Sequence, residues 1–379
     1  MKKGRYVALA ATAVSVLTLA ACGGYGSGGG YGSGGGGGIY SSSSSSSSSP
    51  MTAYSASAIA GDQAAAGVNL DADLVNGWGV AFNPNGFVWV VDNGTNKSTL
   101  YDGNGIKQSL IVTIAPGLAG AADPTGIVFN DSTTNFKLTS GGVTGNSPFI
   151  FAGEGGTINA WSPAVNGTVA LKVFDGSNLH SVYKGLAILT GTVNRLYAAD
   201  FHNGRIDVFD GGFNRITVTG GFTDPSVPAG YAPFNVQAIA GQLYVAYAKT
   251  TTGSDDETAG AGFGYVAIFD SNGNLVKHLV GGGALNAPWG MAMAPANFGS
   301  FSNDLLVGNF GDGKINAYDP ATGAMIGTLS KADGTAIVAP GLWGIAFGNG
   351  LNSQPATTLF YAAGPVDGTH GAYGKITAQ

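Results

Sequence analysis

One short phrase occurs six times along this 379-residue chain, and it restricts the possible folds more than any other feature. The copies follow one another at intervals of 47 to 59 residues, and five of the six carry glycine at their second position. They begin at Trp78, Thr125, Lys184, Phe234, Trp289 and Trp343. A repeat of this length predicts a protein built from stacked or radially arranged structural units.

Each copy is followed by further short runs of β-branched and aromatic residues, separated by turn residues. For example, Leu196–Asp200 leads through Gly204 to Arg205–Asp210. Such runs predict antiparallel strands joined by tight turns. Four strands in each of six units predict an all-β protein, a six-bladed β-propeller. A β-sandwich or a solenoid is the alternative.

The repeated phrase is predicted to form the innermost strand of each blade. Six strands crowd the axis there, and a residue without a side chain lets their backbones approach. The last unit, which begins at Trp343, has room for only three strands. We expect its outer strand to come from the N-terminal side, near Ala66–Leu70. That closure leaves no exposed sheet edge between the ends of the ring.

The first 22 residues predict export and a lipid anchor. A basic start at residues 2–5 precedes an apolar run, Val7 to Leu19, that is too short for a confident membrane span. The run ends in Leu19-Ala20-Ala21-Cys22, which resembles the bacterial lipobox. The resemblance implies cleavage before Cys22 and lipidation of that residue. An ordinary signal peptide that contains a cysteine is the alternative.

The segment after Cys22 is predicted to be a tether. Residues 23–56 are rich in glycine and serine, a composition that cannot bury apolar surface and stays disordered. Residues 57–379 are left for the propeller. Gly23 does not match the usual inner-membrane retention signal, so we expect the bacterial cell envelope, and the outer membrane where one exists. With 16 basic and 22 acidic residues, the chain is not expected to bind nucleic acid.

Polar residues recur in the loops that a propeller gathers around one mouth of its channel. The five candidates for a ligand or metal site are Asp92, Glu154, Asp200, Asn309 and Asp312. Carboxylate and amide oxygens are the ligands that Ca²⁺ prefers. The same side chains also stabilise turns by accepting hydrogen bonds from nearby backbone N–H groups. Both interpretations stay open at this point, and no cofactor other than Ca²⁺ is suggested.

Asp200 and His202 are weak catalytic candidates because an imidazole beside a carboxylate can transfer protons. A structural histidine in a turn is the alternative. The loop Lys249–Glu257 is longer than its equivalents and contains three adjacent acids. It is compatible with a cover over the mouth, a cation ligand or a plain solvated loop.

The tryptophans at positions 78, 289 and 343 share one position of the repeat. That shared position favours a place in the core or channel wall over an aromatic ligand cage.

Several longer strings give a more specific resemblance. They are Leu74–Gly79, Tyr197–Asp210, Gly221–Pro225, Gly230–Asn235, Leu285–Gly290 and Leu306–Gly313. With them, residues 65–379 resemble an uncharacterised family of secreted bacterial propellers, described as PEP-CTERM-associated and distantly similar to NHL-repeat proteins. The resemblance implies a propeller fold and export, and it implies no activity and no catalytic residues.

Two classes of function follow. The first is a membrane-tethered envelope lipoprotein whose propeller is a non-enzymatic binding or scaffold module for a protein, glycan or small molecule. The second is a Ca²⁺-dependent, lactonase-like hydrolase with its site at the channel mouth, since similar propellers include such enzymes. The fold alone does not establish an activity, and we expect the first class, the non-enzymatic binding module.

Overall fold

The computed structural model describes residues 52–251 and 253–379. The predicted signal peptide, the predicted lipidation site at Cys22 and most of the predicted tether lie outside the described residues. The regular secondary structure of the described part is almost entirely strand, with single-turn 3-10 helices at Asn93–Thr95, Ser177–Leu179 and Gly299–Phe301. No helix within these ranges is long and apolar enough to cross a membrane.

In the described residues the strands fall into successive antiparallel units, most of them built on four strands, and each unit begins with one copy of the repeated phrase. Two N-terminal strands come first, β1 (Tyr54–Gly61) and β2 (Asn69–Leu70). Unit 1 consists of β3 (Gly77–Phe82), β4 (Val88–Asp92), β5 (Lys97–Tyr101) and β6 (Lys107–Ile114). Unit 2 consists of β7 (Pro124–Phe129), an inserted hairpin of β8 (Lys137–Ser140) and β9 (Val143–Asn146), then β10 (Phe149–Gly153), β11 (Thr157–Trp161) and β12 (Val169–Asp175).

The later units repeat the same order. Unit 3 consists of β13 (Tyr183–Leu189), β14 (Arg195–Asp200), β15 (Arg205–Asp210) and β16 (Arg215–Ile216). Unit 4 consists of β17 (Tyr231–Ile239), β18 (Gln242–Thr250), the short β19 (Glu257–Thr258), β20 (Gly264–Phe269) and β21 (Leu275–Gly281). Unit 5 consists of β22 (Pro288–Met293), β23 (Leu305–Asn309), β24 (Ile315–Tyr318) and β25 (Met325–Thr328). Unit 6 contains β26 (Leu342–Phe347), β27 (Leu359–Ala363) and β28 (Ala372–Ala378).

The first strands of the units form a closed ring around the axis. β3, β7, β13, β17, β22 and β26 contact one another in that order, and β26 returns to β3. A Cβ on Gly344 would lie only 2.6 Å from the carbonyl oxygen of Trp78 in the next strand. Asn235 replaces the glycine in unit 4, and its amide donates to the Trp289 carbonyl oxygen at 2.7 Å. The propeller prediction and its explanation of the repeated glycine are both confirmed.

An N-terminal strand closes unit 6, as predicted, but its predicted position is wrong. β1 pairs antiparallel with β28, from Tyr54 opposite Ala378 to Gly61 opposite Ala372. The predicted segment, residues 66–70, supplies only the short β2, which runs parallel to β1. β1 therefore begins inside the range predicted as tether. Its alanines and serines follow a serine-rich segment and resemble it in composition, so they gave little strand signal.

Candidate functional site

The first residues of the repeated phrases meet at one end of the axis. Trp78 and Trp343 stack with their ring centroids 3.6 Å apart. Trp289 packs edge-on against both rings, and Phe234 belongs to the same buried cluster. Each indole is at most 5% exposed, which confirms the predicted core role. We call these four residues the aromatic plug.

The axis beside the aromatic plug is too narrow for a substrate. Its cavity measures about 20 Å³ and is lined by inner-strand residues that include Gly79, Gly126 and Gly290. Such a volume holds about one water molecule. Pockets for small-molecule ligands typically measure about 300–1,000 Å³. The cavity on the axis is therefore not a candidate for binding an organic ligand.

Lys184 places a buried charge against the plug. It lies in β13, is fully buried, and holds its Nζ 2.6 Å from Glu154 Oε1. Glu257 Oε2 lies 3.6 Å and Asp256 Oδ1 3.8 Å from the same nitrogen. The Nζ also lies 5.5 Å from the centroid of the Trp78 ring. A buried ammonium is costly unless it is paired, so the three carboxylates stabilise it. We call these four charged residues the ammonium cluster.

A chain of side-chain hydrogen bonds joins the ammonium cluster to the aromatic plug. Asn93 donates from Nδ2 to Glu154 Oε2 at 3.1 Å. Asn76 donates to Asn93 Oδ1 at 3.1 Å, and Trp343 Nε1 donates to Asn76 Oδ1 at 3.2 Å. These contacts fix the orientation of the Glu154 carboxylate toward Lys184. The mouth is therefore a preorganised polar assembly.

The long loop after β18 covers the ammonium cluster. Its Glu257 side chain is only 2% exposed. Burial raises the pKa of that carboxyl, and the Lys184 charge opposes the rise. Nearby, Asp255 Oδ1 lies 2.6 Å from His202 Nδ1. Because the loop contacts the mouth at two points, the structure favours a cover over a solvated loop.

The five predicted ligand residues have different environments. Glu154 belongs to the ammonium cluster, whereas Asp200 stabilises its own turn. Asp200 accepts a hydrogen bond from Val182 N at 3.1 Å and another from Asn203 Nδ2 at 2.8 Å. Arg205 Nη2 lies 3.0 Å from Asp200 Oδ2, the oxygen that also accepts from Asn203. These contacts match the structural interpretation of Asp200.

Asn309 and Asp312 stabilise a different turn, in unit 5. Asn309 donates from Nδ2 to Asp312 Oδ1 at 3.1 Å and accepts from Asn286 N at 3.1 Å. Lys314 Nζ lies 3.2 Å from Asp312 Oδ2. This pair also fits the structural interpretation.

Asp92 is fully buried at the end of β4. Burial raises its pKa well above the ordinary value, and nearby Asp71 adds to the rise, whereas Thr99 and Lys107 oppose it. The groups around Asp92 are thus different from those around Glu154, Asp200 and Asn309, and these residues do not share one set of partners. Among the described residues, no group of three or more His, Cys, Asp or Glu is placed to hold a metal ion.

Lys184 is the important mouth residue that the sequence analysis did not select. Its position in the repeat is Trp in three copies and Phe in another. A charged residue at a position that is otherwise mostly aromatic was the signal that could have identified it. The carboxylate partners Asp256 and Glu257 come from the long loop of the next unit, far along the chain, and no local pattern pairs them with Lys184.

Comparisons with known proteins found relatives and shared folds, whereas no family model matches the chain. The uncharacterized protein R648 of Acanthamoeba polyphaga mimivirus is 34% identical over 304 residues, which cover 78% of this chain and 74% of that protein. Its uncharacterized protein L690 is 35% identical over 286 residues, which cover 73% and 74%.

Two solved structures share the propeller fold. A streptogramin B lyase has a TM-score of 0.50 at 12% identity, covering 86% of this chain and 98% of its own. A Bacteroides thetaiotaomicron VPI-5482 protein of unknown function has a TM-score of 0.54 at 12% identity, covering 86% and 76%. At this level of identity both similarities concern the fold alone.

Proposed function

This chain belongs to the same family as the uncharacterised mimivirus proteins R648 and L690, and we propose that it is a non-enzymatic binding module. It presents the mouth face of its propeller to a macromolecular partner. The observation that carries this proposal is the filled mouth. The aromatic plug and the ammonium cluster occupy the space where a propeller enzyme would place its substrate. Binding therefore takes place on the surface around the mouth.

The loops around the mouth supply such a surface. Four apolar side chains there are 42–83% exposed, namely Leu118, Leu179, Val338 and Val366. They lie in connections between units or between second and third strands, and the antiparallel order places those connections on one face. Exposed apolar side chains of this kind mark protein contact sites when they occur together. We call these four residues the rim.

The proposed function also includes export of the protein and its anchoring to a membrane. The lipobox-like residues before Cys22 support a lipid anchor, and the Gly/Ser-rich segment 23–51 supplies a spacer to the propeller. The resemblance to secreted bacterial propellers associated with PEP-CTERM sorting supports the same placement in the cell envelope. In this arrangement the protein holds its partner near a membrane.

Rim variants test the binding face. The double variant Leu118→Asp and Val366→Asp places two charges on the mouth face, and the matched control Ile106→Asp and Leu351→Asp places two on the opposite connections. Partners cross-linked to the full chain in its native cells are compared by quantitative mass spectrometry. We expect the rim variant to lose its partner by about tenfold, equivalent to about 1.4 kcal/mol, while the control retains it. Equal recovery by both variants would overturn the proposal.

Calcium distinguishes the hydrolase alternative. The carboxylates of Glu154, Asp256 and Glu257 already surround the Lys184 ammonium. We therefore expect millimolar calcium to leave the melting temperature of the parent unchanged. A bound ion would raise it through the linkage of binding to folding. A calcium-dependent rise that Glu154→Gln abolishes would favour the hydrolase over the binding module.

A further inference from the structure

A second recessed surface lies on the face opposite the mouth. A cleft of about 440 Å³ opens between units 2 and 3, lined by residues 131–135 and by Thr190, Gly191 and Asn194. These residues belong to connections between first and second strands, which lie on the opposite face from the rim and from the loop that covers the ammonium cluster. The volume is within the range of about 300–1,000 Å³ that is typical of small-molecule sites.

One wall of the cleft is formed where unit 2 departs from the repeat. Its first and second strands are separated by the inserted hairpin β8–β9. Phe136, at the start of this insertion, is fully buried and packs against Phe213 of unit 3 with ring centroids 5.4 Å apart. Its backbone N–H donates to the Gly211 carbonyl oxygen at 2.6 Å. These contacts hold the wall rigidly, which lowers the entropic cost of binding a ligand.

Some polar groups of the lining hold the two loops in shape. Ser132 N donates to Asn130 Oδ1 at 3.0 Å, and Asn135 N donates to Ser132 Oγ at 3.0 Å. In the facing turn, Asn194 Nδ2 donates to the Gly191 carbonyl oxygen at 3.2 Å. The cleft is therefore prearranged on both sides.

Other polar groups of the lining are available to a ligand. The Asp131 carboxylate and the hydroxyls of Thr133 and Thr190 form no hydrogen bond or ion pair with any other described residue. The carboxylate only accepts hydrogen bonds, whereas each hydroxyl both donates and accepts. A ligand that satisfies all three must offer several donors together with acceptors.

The composition of the lining excludes other ligand classes. It contains no Lys, Arg or His, so an anion finds no counter-charge there. Its single carboxylate falls short of the charged oxygen set that Ca²⁺ usually requires. It presents no apolar side chain, and an apolar ligand would gain little from burial there. Neighbouring hydroxyl groups on a sugar ring match the remaining pattern of donors and acceptors.

We propose that the cleft between units 2 and 3 is a binding site for neutral oligosaccharides. Asp131 accepts hydrogen bonds from two sugar hydroxyls, and Thr133 and Thr190 bind neighbouring hydroxyls from the two walls. This site is independent of the binding face proposed at the mouth. The protein would then hold a glycan on one face and a macromolecular partner on the other.

Saturation-transfer NMR on the full chain in detergent tests the site. The probes are cellohexaose, maltohexaose and chitohexaose, with hexagalacturonate as an anionic control and lysine amide as a cationic one. We expect at least one neutral hexasaccharide to bind saturably, with a Kd below about 10 mM. We expect neither charged probe to bind comparably. No binding by any neutral probe, or equal binding of a charged probe, would overturn the proposal.

Variants locate the binding. Asp131→Asn combined with Thr190→Val should weaken binding by at least about tenfold, since it removes a charged acceptor and a hydroxyl. The matched control Thr139→Val lies on the exposed side of the adjacent hairpin, where Thr139 contacts only Thr144 among the described residues. It should bind like the parent, and so should the rim variant of the mouth face. Equal binding by the Asp131 and Thr190 variant would overturn the assignment to this cleft.

Discussion

Two buried ionisable side chains, Lys184 and Asp92, differ in how far their neighbours compensate their charge. Lys184 is surrounded by three carboxylates within 3.8 Å. Asp92 is equally buried, yet the balance of its surroundings raises its pKa. The ammonium of Lys184 is compensated by its partners, whereas the surroundings of Asp92 favour the neutral form of its carboxyl group. Substitutions at the two positions should therefore change stability in opposite directions.

Replacing Lys184 should strongly destabilise the propeller. Lys184→Met removes the ammonium and leaves Glu154, Asp256 and Glu257 facing one another. Removing one partner of a buried ion pair typically costs about 3–5 kcal/mol. Urea denaturation at pH 7 measures the loss, with Lys249→Met as a control because Lys249 instead lies over the Phe263 ring.

The pH dependence identifies the cause of that loss. Without the ammonium, the pKa of the Glu257 carboxyl, which burial already raises, should rise further above its value in the unfolded chain. The folded state then binds more protons, so its stability falls as pH increases. The difference between Lys184→Met and the parent should therefore shrink in acid. A loss that is independent of pH would contradict an electrostatic role for Lys184.

Neutralising Asp92 should stabilise the protein. Because burial raises its pKa, the folded state keeps the Asp92 proton to a higher pH than the unfolded chain does. Stability from this group is complete below the unfolded pKa of about 3.9 and is lost as pH rises through the folded pKa. Asp92→Asn removes this loss, and Asn309 already ends the equivalent strand of unit 5.

Thermal melts between pH 3.5 and 8 test this expectation. The melting temperature of Asp92→Asn should exceed that of the parent by a few degrees at pH 7, and the difference should vanish in acid. Asp131→Asn is the control because that carboxylate is exposed. A lower melting temperature for Asp92→Asn at pH 7 would show that the carboxylate makes a net stabilising contact.

At the scale of elements, the inner and outer strands differ in how clearly the sequence specifies them. The inner strands carry their glycine because the neighbouring backbone leaves no room for a Cβ, as at Gly344. That restriction recurs in five of the six units and is visible as a pattern. The closing strand β1 occurs once, and its small residues form no contrast with the preceding serines. Its position follows from the contacts of Tyr54, which no local pattern reveals.

Tyr54 should fix the closing strand to its neighbours. Its side chain is 2% exposed, its hydroxyl donates to the Phe298 carbonyl oxygen at 2.8 Å, and its ring stacks on Phe301 with centroids 5.5 Å apart. Tyr54→Ala leaves a cavity between units 5 and 6, and comparable aromatic truncations cost about 3–5 kcal/mol. Ser57→Ala in the same strand is exposed and should cost almost nothing. Equal stability of the two variants would contradict a closing role for Tyr54.

At the scale of the whole molecule, repetition determines the architecture and long-range contacts determine the site. The six phrases predicted the ring and the burial of the tryptophans. The ammonium cluster was not predictable, because it joins Glu154 of unit 2, Lys184 of unit 3 and the loop of unit 4. The polar turns predicted a mouth rich in carboxylates, but not that Asp200 and Asn309 would be satisfied within their own turns. Local patterns carry information on backbone geometry, whereas the ammonium cluster forms only when three successive units pack against one another.

Truncation tests closure of the ring. A chain that begins at residue 52 keeps β1, and we expect it to melt like the full chain. A chain that begins at residue 62 loses β1 and leaves β28 with an unpaired edge. Such an edge promotes aggregation, so its melting temperature should fall and soluble yield should decrease. Similar melting of both truncated chains would show that β1 is not required for closure.

The proposed lipid anchor would place the whole molecule at a membrane. Cys22 is the only cysteine in the sequence, so thioether-linked lipid has a single possible site. Two acyl chains anchor a protein stably, whereas one chain binds reversibly. Cys22→Ser should abolish fatty-acid labelling and move the protein from the detergent phase to the aqueous phase. Its melting temperature should match that of the parent, since the described propeller begins after this position. Ser41→Ala is the matched control, and unchanged labelling and partitioning of Cys22→Ser would refute the anchor.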